Sequence, residues 1–157
     1  VEHPLDGFGM LIPSGERRPV LGILWMSSLF PDRTPDGLVQ TTSFVGGARF
    51  PELAGLPESE LVELVHGEHR RILGASAEPG LRYVARWTHA SPRMEFGHVD
   101  RLATLERMEA ANPGIHLAGS YGSSGPSVPA CWARGRAVAE TILAARRAGT
   151  SEQAESV

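Results

Sequence analysis

Gly119-Ser-Tyr-Gly-Ser-Ser-Gly-Pro-Ser-Val-Pro-Ala-Cys131 is the stretch whose reading decides the fold. A short apolar run, Ile115-His-Leu-Ala118, leads into it, and a helix-forming run from about Val128 to Arg147 follows. A strand that turns through glycines onto a helix N-terminus leaves several backbone N–H groups unpaired and aimed at one point, which favours an electron-rich ligand. The same composition also suits an ordinary strand-to-helix connection. A serine nucleophile elbow is excluded, because Gly122-Ser-Ser-Gly125 is not G-x-S-x-G and Tyr121 takes the nucleophile place counted from Gly119.

Working outward, the final helix puts Cys131, Gly135, Val138, Ala139 and Ile142 on one face. Gly135 costs about 1 kcal/mol of helix propensity relative to alanine, which suits a position that a strand or cofactor approaches closely. Beyond Gly149 no pattern remains, and residues 149–157 are expected to form a disordered tail. Before the bend, Leu102, Leu105 and Met108 predict a helix over residues 98 to 111 that Asn112-Pro-Gly114 stops. Gly80 opens a predicted strand, Leu81-Arg-Tyr-Val-Ala-Arg-Trp87. From Pro57 a helix is predicted with Leu61, Leu64, Val65 and Ile72 on one face, Glu58, Glu60 and Glu63 near its start and Arg70 and Arg71 near its end. The first fifty residues read as neighbouring antiparallel strands, Gly7 to Ile12, Val20 to Ser28 and Leu38 to Val45. The class is therefore α+β.

Composition excludes several chemistries. At 157 residues the chain is one domain's worth. It has a net charge of −3 and no lysine, which removes a Walker-type phosphate lysine, a Schiff-base lysine and a lysine general base. Charges of both signs are scattered, so no basic stripe for nucleic acid exists. Cys131 stands alone, which rules out an internal disulfide and a cysteine metal cluster and points to a reducing, cytoplasmic compartment. The longest apolar run, Leu21 to Met26, is far short of the roughly 20 residues of a spanning helix. Glu2, Pro4 and Asp6 interrupt any signal-peptide pattern, while peripheral membrane contact stays open.

His66 and His69, beside Glu63 and Glu68, have metal-ligand spacing but no third anchored ligand, and read as solvated residues of a charged helix face. No metal is expected. His98 at a helix start reads as a structural or capping contact, and His89 and His116 as packed side chains. Cys131 reads as a small apolar filler.

Three stretches, in order, carry a family resemblance. Gly7-Phe-Gly-Met-Leu-Ile-Pro13 with Leu21-Gly-Ile-Leu-Trp-Met-Ser-Ser-Leu-Phe-Pro31 resembles the substrate-domain strands of the protoporphyrinogen oxidase family, flavoenzymes of haem synthesis. Trp87-Thr-His-Ala-Ser-Pro-Arg-Met-Glu-Phe-Gly-His98 is similar to that family's W-x-x-A-x-P-x-x-x-x-G-H segment, and Gly125-Pro-Ser-Val-Pro-Ala-Cys131 to its closing bend. The resemblance implies residues 1–97 in part of a mixed or antiparallel substrate-domain sheet, and residues 98–148 as the closing strand and helix of a FAD-binding α/β domain. It implies FAD as cofactor, a porphyrinogen as substrate and hydride transfer to the flavin. Carried over, Gly119, Ser120, Gly125, Ser127, Val128 and Pro129 would face the flavin, Trp87 would pack close to it and Arg93 would meet a substrate propionate. The other candidate arginines for propionates, Arg49, Arg82 and Arg86, read equally well as exposed strand-edge residues. No residue is assigned a catalytic role.

Two departures stand out in the bend: Pro126 and Ser127 occupy places where the family tends to have a small apolar residue and a glycine, and Ser127 has the hydroxyl of a helix cap. The family's G-x-G-x-x-G pyrophosphate loop is absent from this sequence. The expectation is a carboxyl-terminal third that binds FAD tightly only with a dinucleotide-binding half, or that covers its apolar surface by self-association. Two alternatives accompany it: a related amine-oxidase-like flavoenzyme, or a non-enzymatic binding or assembly module on the same scaffold.

Overall fold

The computed structural model describes residues 1–122 and 125–155, with side chains as far as residue 147. Ser123 and Ser124 of the bend, and Ser156 and Val157 of the tail, lie outside the described residues. The chain divides into two compact units, Val1–Arg86 and Trp87–Val157.

The first unit is built on a three-stranded antiparallel sheet in the order β1 (Gly9–Leu11), β2 (Val20–Trp25), β3 (Thr41–Val45). The expected strands are present with trimmed ends; β2 gives way at Met26 to a single helical turn, α1 (Met26–Leu29). Strand alternation sends successive side chains of β2 to opposite faces. Ile23, flanked in register by Met10 and Ser43, faces inward, and so does Trp25. A register shift between Val20 and Gly22 returns Val20 to the same face, opposite Val45. Helix α2 (Glu58–Leu73) covers that face. Leu5, Ile12, Val20, Ile23, Trp25 and Leu73 form the core, with Leu64, Val65 and Ile72 of α2 against it. Each fully buried aliphatic side chain contributes about 1.5–3 kcal/mol.

Polar contacts fix α2 in place. Arg18 forks onto Glu68 with Nε to Oε2 at 2.5 Å and Nη2 to Oε1 at 2.7 Å. Ser43 Oγ lies 2.9 Å from His69 Nε2, tying β3 to the helix. The amides of Glu2 and His3 donate to the Leu73 carbonyl at 3.0 and 3.1 Å, capping the helix end. His66 and His69 are thus internal features of α2 and not solvated ones: His66 is buried, with Nε2 3.4 Å from Glu78 Oε1. Among the described residues no group of three or more histidine, cysteine or acidic side chains has the geometry to hold a metal ion.

The strand predicted over Leu81–Trp87 is not formed. A strand exists only through pairing, and this segment makes no ladder bonds among the described residues. Its two arginines turn to polar anchors instead: the Arg86 guanidinium donates to the Ala54 carbonyl and, at 2.6 Å, to that of Leu56, and Arg82 meets Glu78 at 3.5 Å. Leu81 and Tyr83 are left exposed.

The second unit holds α3 (His98–Ala111) and α4 (Val128–Glu155). No strand is assigned over Ile115–Ala118, where the closing strand was expected. Helix α4 runs past Arg147 to Glu155, into the stretch expected to be a disordered tail; alanine, glutamate and glutamine sustain a helix once it has begun. Leu102 and Leu105 of α3 and Cys131, Val138 and Ile142 of α4 are half-buried, whereas Met108, Gly135 and Ala139, expected on the same faces, are exposed. His98 is the buried side chain of this unit among the described residues. No helix among the described residues is long and apolar enough to cross a membrane.

Burial, reinforced by His66 and opposed by Glu68, holds His69 below the ordinary histidine range. The folded chain therefore resists a proton that the unfolded chain takes up near pH 6.5, so stability falls as the pH drops through that value. Urea denaturation at pH 7.5 and 5.5 checks this: His69→Gln is expected to lose less stability on acidification than the wild type, and an equal loss in both refutes it.

Candidate functional site

The bend is a chain of turns. Gly122 N–H donates to the Gly119 carbonyl at 3.4 Å and Gly125 N–H to the Gly122 carbonyl at 3.1 Å. Gly125 has φ +83°, a left-handed conformation that glycine adopts without strain. Ser127 then caps α4: its Oγ accepts the Ala130 N–H at 3.3 Å, and its carbonyl accepts from Cys131 at 3.0 Å.

The expected cluster of amides is smaller in the folded bend. Pro126 and Pro129 have no N–H, the amides of Gly122 and Gly125 are spent in turns, and that of Ala130 is spent on Ser127. Ser127 and Val128 keep amide hydrogens without a protein acceptor among the described residues. Among the described residues, a Cβ at Gly119 or Gly125 would meet nothing within 4 Å, and Val128 is 78% exposed. An open face with two amides at a helix N-terminus fits the electron-rich edge of a flavin, with fewer donors than the sequence suggested.

Ser120 is half-buried beside Tyr121. Tyr121 meets His98 edge to face, ring centroids 4.8 Å apart at 79°. Neither ring nitrogen of His98 has a hydrogen-bond partner among the described residues. Tyr121 also borders an open depression of about 390 Å³ lined by Asp100, Arg101, Thr104 and Leu105.

Gly119, Ser120, Gly125, Ser127, Val128 and Pro129 are thus gathered in one bend, but Trp87 and Arg93 are not bonded to it among the described residues. Trp87 is 78% exposed, and Arg93 lies 3.7 Å from Glu95 in a solvent-facing ion pair. The arginines proposed for propionates divide similarly: Arg49 donates to the Ile12 carbonyl at 2.9 Å, and Arg86 is anchored as described.

A second surface was not singled out from the sequence. On the face of the sheet opposite α2, Leu11, Gly22 and Phe44 lie in one register row, with Leu24 in the next. Leu11 is 85% and Phe44 48% exposed. A Cβ at Gly22 would lie 2.8 Å from the Met10 carbonyl oxygen, so glycine lets the strands close up and leaves a shallow apolar row. The signal was present in the strand period, since Leu11 alternates with Met10 and Phe44 stands between Ser43 and Val45.

The apolar sheet face belongs to the first unit and the glycine bend to the second. The profile of the flavin containing amine oxidoreductases matches residues 2–143, and the chain belongs to that family. Within the family it is similar to the mitochondrial protoporphyrinogen oxidase of Nicotiana tabacum, 38% identical over 124 residues that make up 77% of this chain and 25% of that enzyme. It is 35% identical over 146 residues to protoporphyrinogen oxidase 2, chloroplastic/mitochondrial, of Arabidopsis thaliana, covering 91% of this chain and 28% of the relative. The coproporphyrinogen III oxidase of Propionibacterium freudenreichii subsp. freudenreichii is 35% identical over 133 residues, 84% of this chain and 25% of the relative. The chain thus spans about a quarter of the length of these relatives.

Two glycines test the local account. Gly125→Ala is expected to cost about 1–2 kcal/mol through left-handed backbone strain alone. Gly135→Ala in α4, where a Cβ would meet nothing within 4 Å, is expected to stabilise the chain by up to about 1 kcal/mol. Urea denaturation of both variants reads the opposite signs.

Proposed function

We propose that the chain forms the carboxyl-terminal part of a FAD-dependent porphyrinogen oxidase of haem synthesis, completed by a dinucleotide-binding half. The observation that carries this reading is that the apolar sheet face and the open bend both fall inside the matched residues 2–143. FAD, when bound, supplies a hydride acceptor for removal of hydrogens from the macrocycle. The protein's share is orientation and exclusion of water. Ser127 and Val128 would direct amide hydrogens, with the α4 dipole behind them, at the flavin edge that gains negative charge. Leu11, Leu24 and Phe44 would offer apolar area to the tetrapyrrole.

The need for a further polypeptide is supported by surface: Leu81, Tyr83, Trp87 and Phe96 are all exposed. Such a concentration of large apolar side chains along one segment suits an interface. A lone thiol, Cys131, suits a reducing compartment such as the cytoplasm. A second reading, a non-enzymatic assembly module on this scaffold, is favoured by the absence of an amide donor at Pro126, where the resembled family tends to have a small apolar residue.

Expression of the chain alone and together with the part of the tobacco relative that it does not match, about three quarters of that enzyme, separates the two. Retained flavin absorbance and porphyrinogen oxidation in the co-expressed pair, and neither in the chain alone, is the expected result; a colourless, inactive pair favours the assembly module. In the active pair, Phe44→Ala is expected to raise KM on the order of tenfold with a smaller effect on kcat. An unchanged KM removes the sheet face from the substrate site.

A further inference from the structure

The segment that enters the bend is held by side chains. Leu117 N–H donates to Glu109 Oε1 at 2.5 Å, and the Leu117 carbonyl accepts from Arg134 Nε at 3.1 Å. The two side chains also meet each other, Arg134 Nη2 lying 3.2 Å from Glu109 Oε2. In an antiparallel pair, a residue exchanges both its N–H and its carbonyl with the residue opposite. Glu109 on α3 and Arg134 on α4 supply that acceptor and that donor to Leu117, so an ion pair takes the place of a neighbouring strand. This explains why Ile115–Ala118 carries strand-like sequence without a strand partner among the described residues.

A second anchor lies just beyond. Tyr121 rests edge-on against buried His98, at the first turn of α3. The chain is therefore gripped at Leu117 and at Tyr121, and Gly119 and Ser120 hang between the two grips. The Glu109–Arg134 pair is half-buried, with side-chain exposures of 20% and 40%, so solvent screening still leaves it only a modest contribution to stability. Its geometry serves placement: one guanidinium donates through Nε to a backbone carbonyl while Nη2 faces the carboxylate, a fork that a lysine ammonium does not reproduce.

We propose that Glu109 and Arg134 are positioning residues: together they clamp the backbone of Leu117 and set where the bend at Gly119 and Ser120 presents itself to the cofactor. The clamp is read from this chain alone, and its consequence for the cofactor rests on the function proposed above. Neither residue touches the reacting atoms.

Amide hydrogen exchange on the purified chain tests the clamp without any flavin. Arg134→Lys and Glu109→Ala are expected to speed exchange at Leu117 on the order of tenfold, leaving the α4 amides beyond Val138 unchanged. Unchanged exchange at Leu117 overturns the clamp, and so does an equal acceleration throughout α4, which would mean general loosening. Arg134→Lys is the milder variant and retains a cation at that position if Glu109→Ala folds poorly. In the co-expressed pair, the same variants are expected to weaken flavin binding on the order of tenfold, with kcat of the flavin-saturated enzyme far less affected. Unchanged flavin affinity with faster exchange overturns the link to the cofactor. A wild-type pair that takes up no flavin overturns the proposed function, and exchange at Leu117 then still decides the clamp.

Discussion

Burial of β2 between its two neighbours and beneath α2 is the interaction on which the first unit depends. Val20 and Ile23 are fully buried, and Trp25 nearly so. Because side chains alternate along a strand, fixing Ile23 inward fixes Gly22 and Leu24 outward. Pairing carries that choice to the neighbours, so Leu11 and Phe44 are forced onto the same outer face. The core and the apolar outer row are consequences of one register. A one-residue slip would exchange them, and the glycine at position 22, with no room for a Cβ beside the Met10 carbonyl, disfavours the slip.

The second unit is held together differently. Among the described residues, the buried apolar side chains all lie between Leu5 and Leu73. Helices α3 and α4 have amphipathic spacing but cover their apolar stripes only halfway. What orders the path between them is polar: Glu109 and Arg134 on Leu117, Asn112 Nδ2 on the Met108 carbonyl at 2.8 Å, and Ser127 at the start of α4. Such contacts are directional and define geometry well, but each adds only about 0.5–1.5 kcal/mol net. A unit of this kind keeps its local shape more readily than it resists unfolding, and it gains most from apolar cover supplied by association.

Three strands, the three long helices and the character of the bend were legible in the sequence, because each is encoded by a local period or by a local turn chemistry. Leu61, Leu64, Val65 and Ile72 repeat with the helix, and acidic and basic residues mark the ends of α2. The strand expected at Leu81–Trp87 was not legible, since alternation states a capacity to pair and says nothing of a partner. The bend was readable as a glycine-rich approach to a helix N-terminus, but its donors were overcounted: Gly122 and Gly125 spend their amides within the bend, a matter of turn geometry. Helical spacing gives the face of His66 and His69 as charged and solvated, whereas Ser43, distant in sequence, holds His69 inward and His66 is buried. Glu109 and Arg134 carried no motif at all, and only the approach of α3 and α4 to one backbone residue gives them a role.

The outer sheet row and the bend use opposite physics. Leu11, Leu24 and Phe44 offer apolar area, whose gain comes from expelling water and carries little directional information. Ser127 and Val128 offer amide hydrogens, whose gain is large only where water is excluded, because electrostatic interactions weaken as the surrounding dielectric rises. An exposed N-terminus such as that of α4 is therefore a weak site in water and a stronger one under cover.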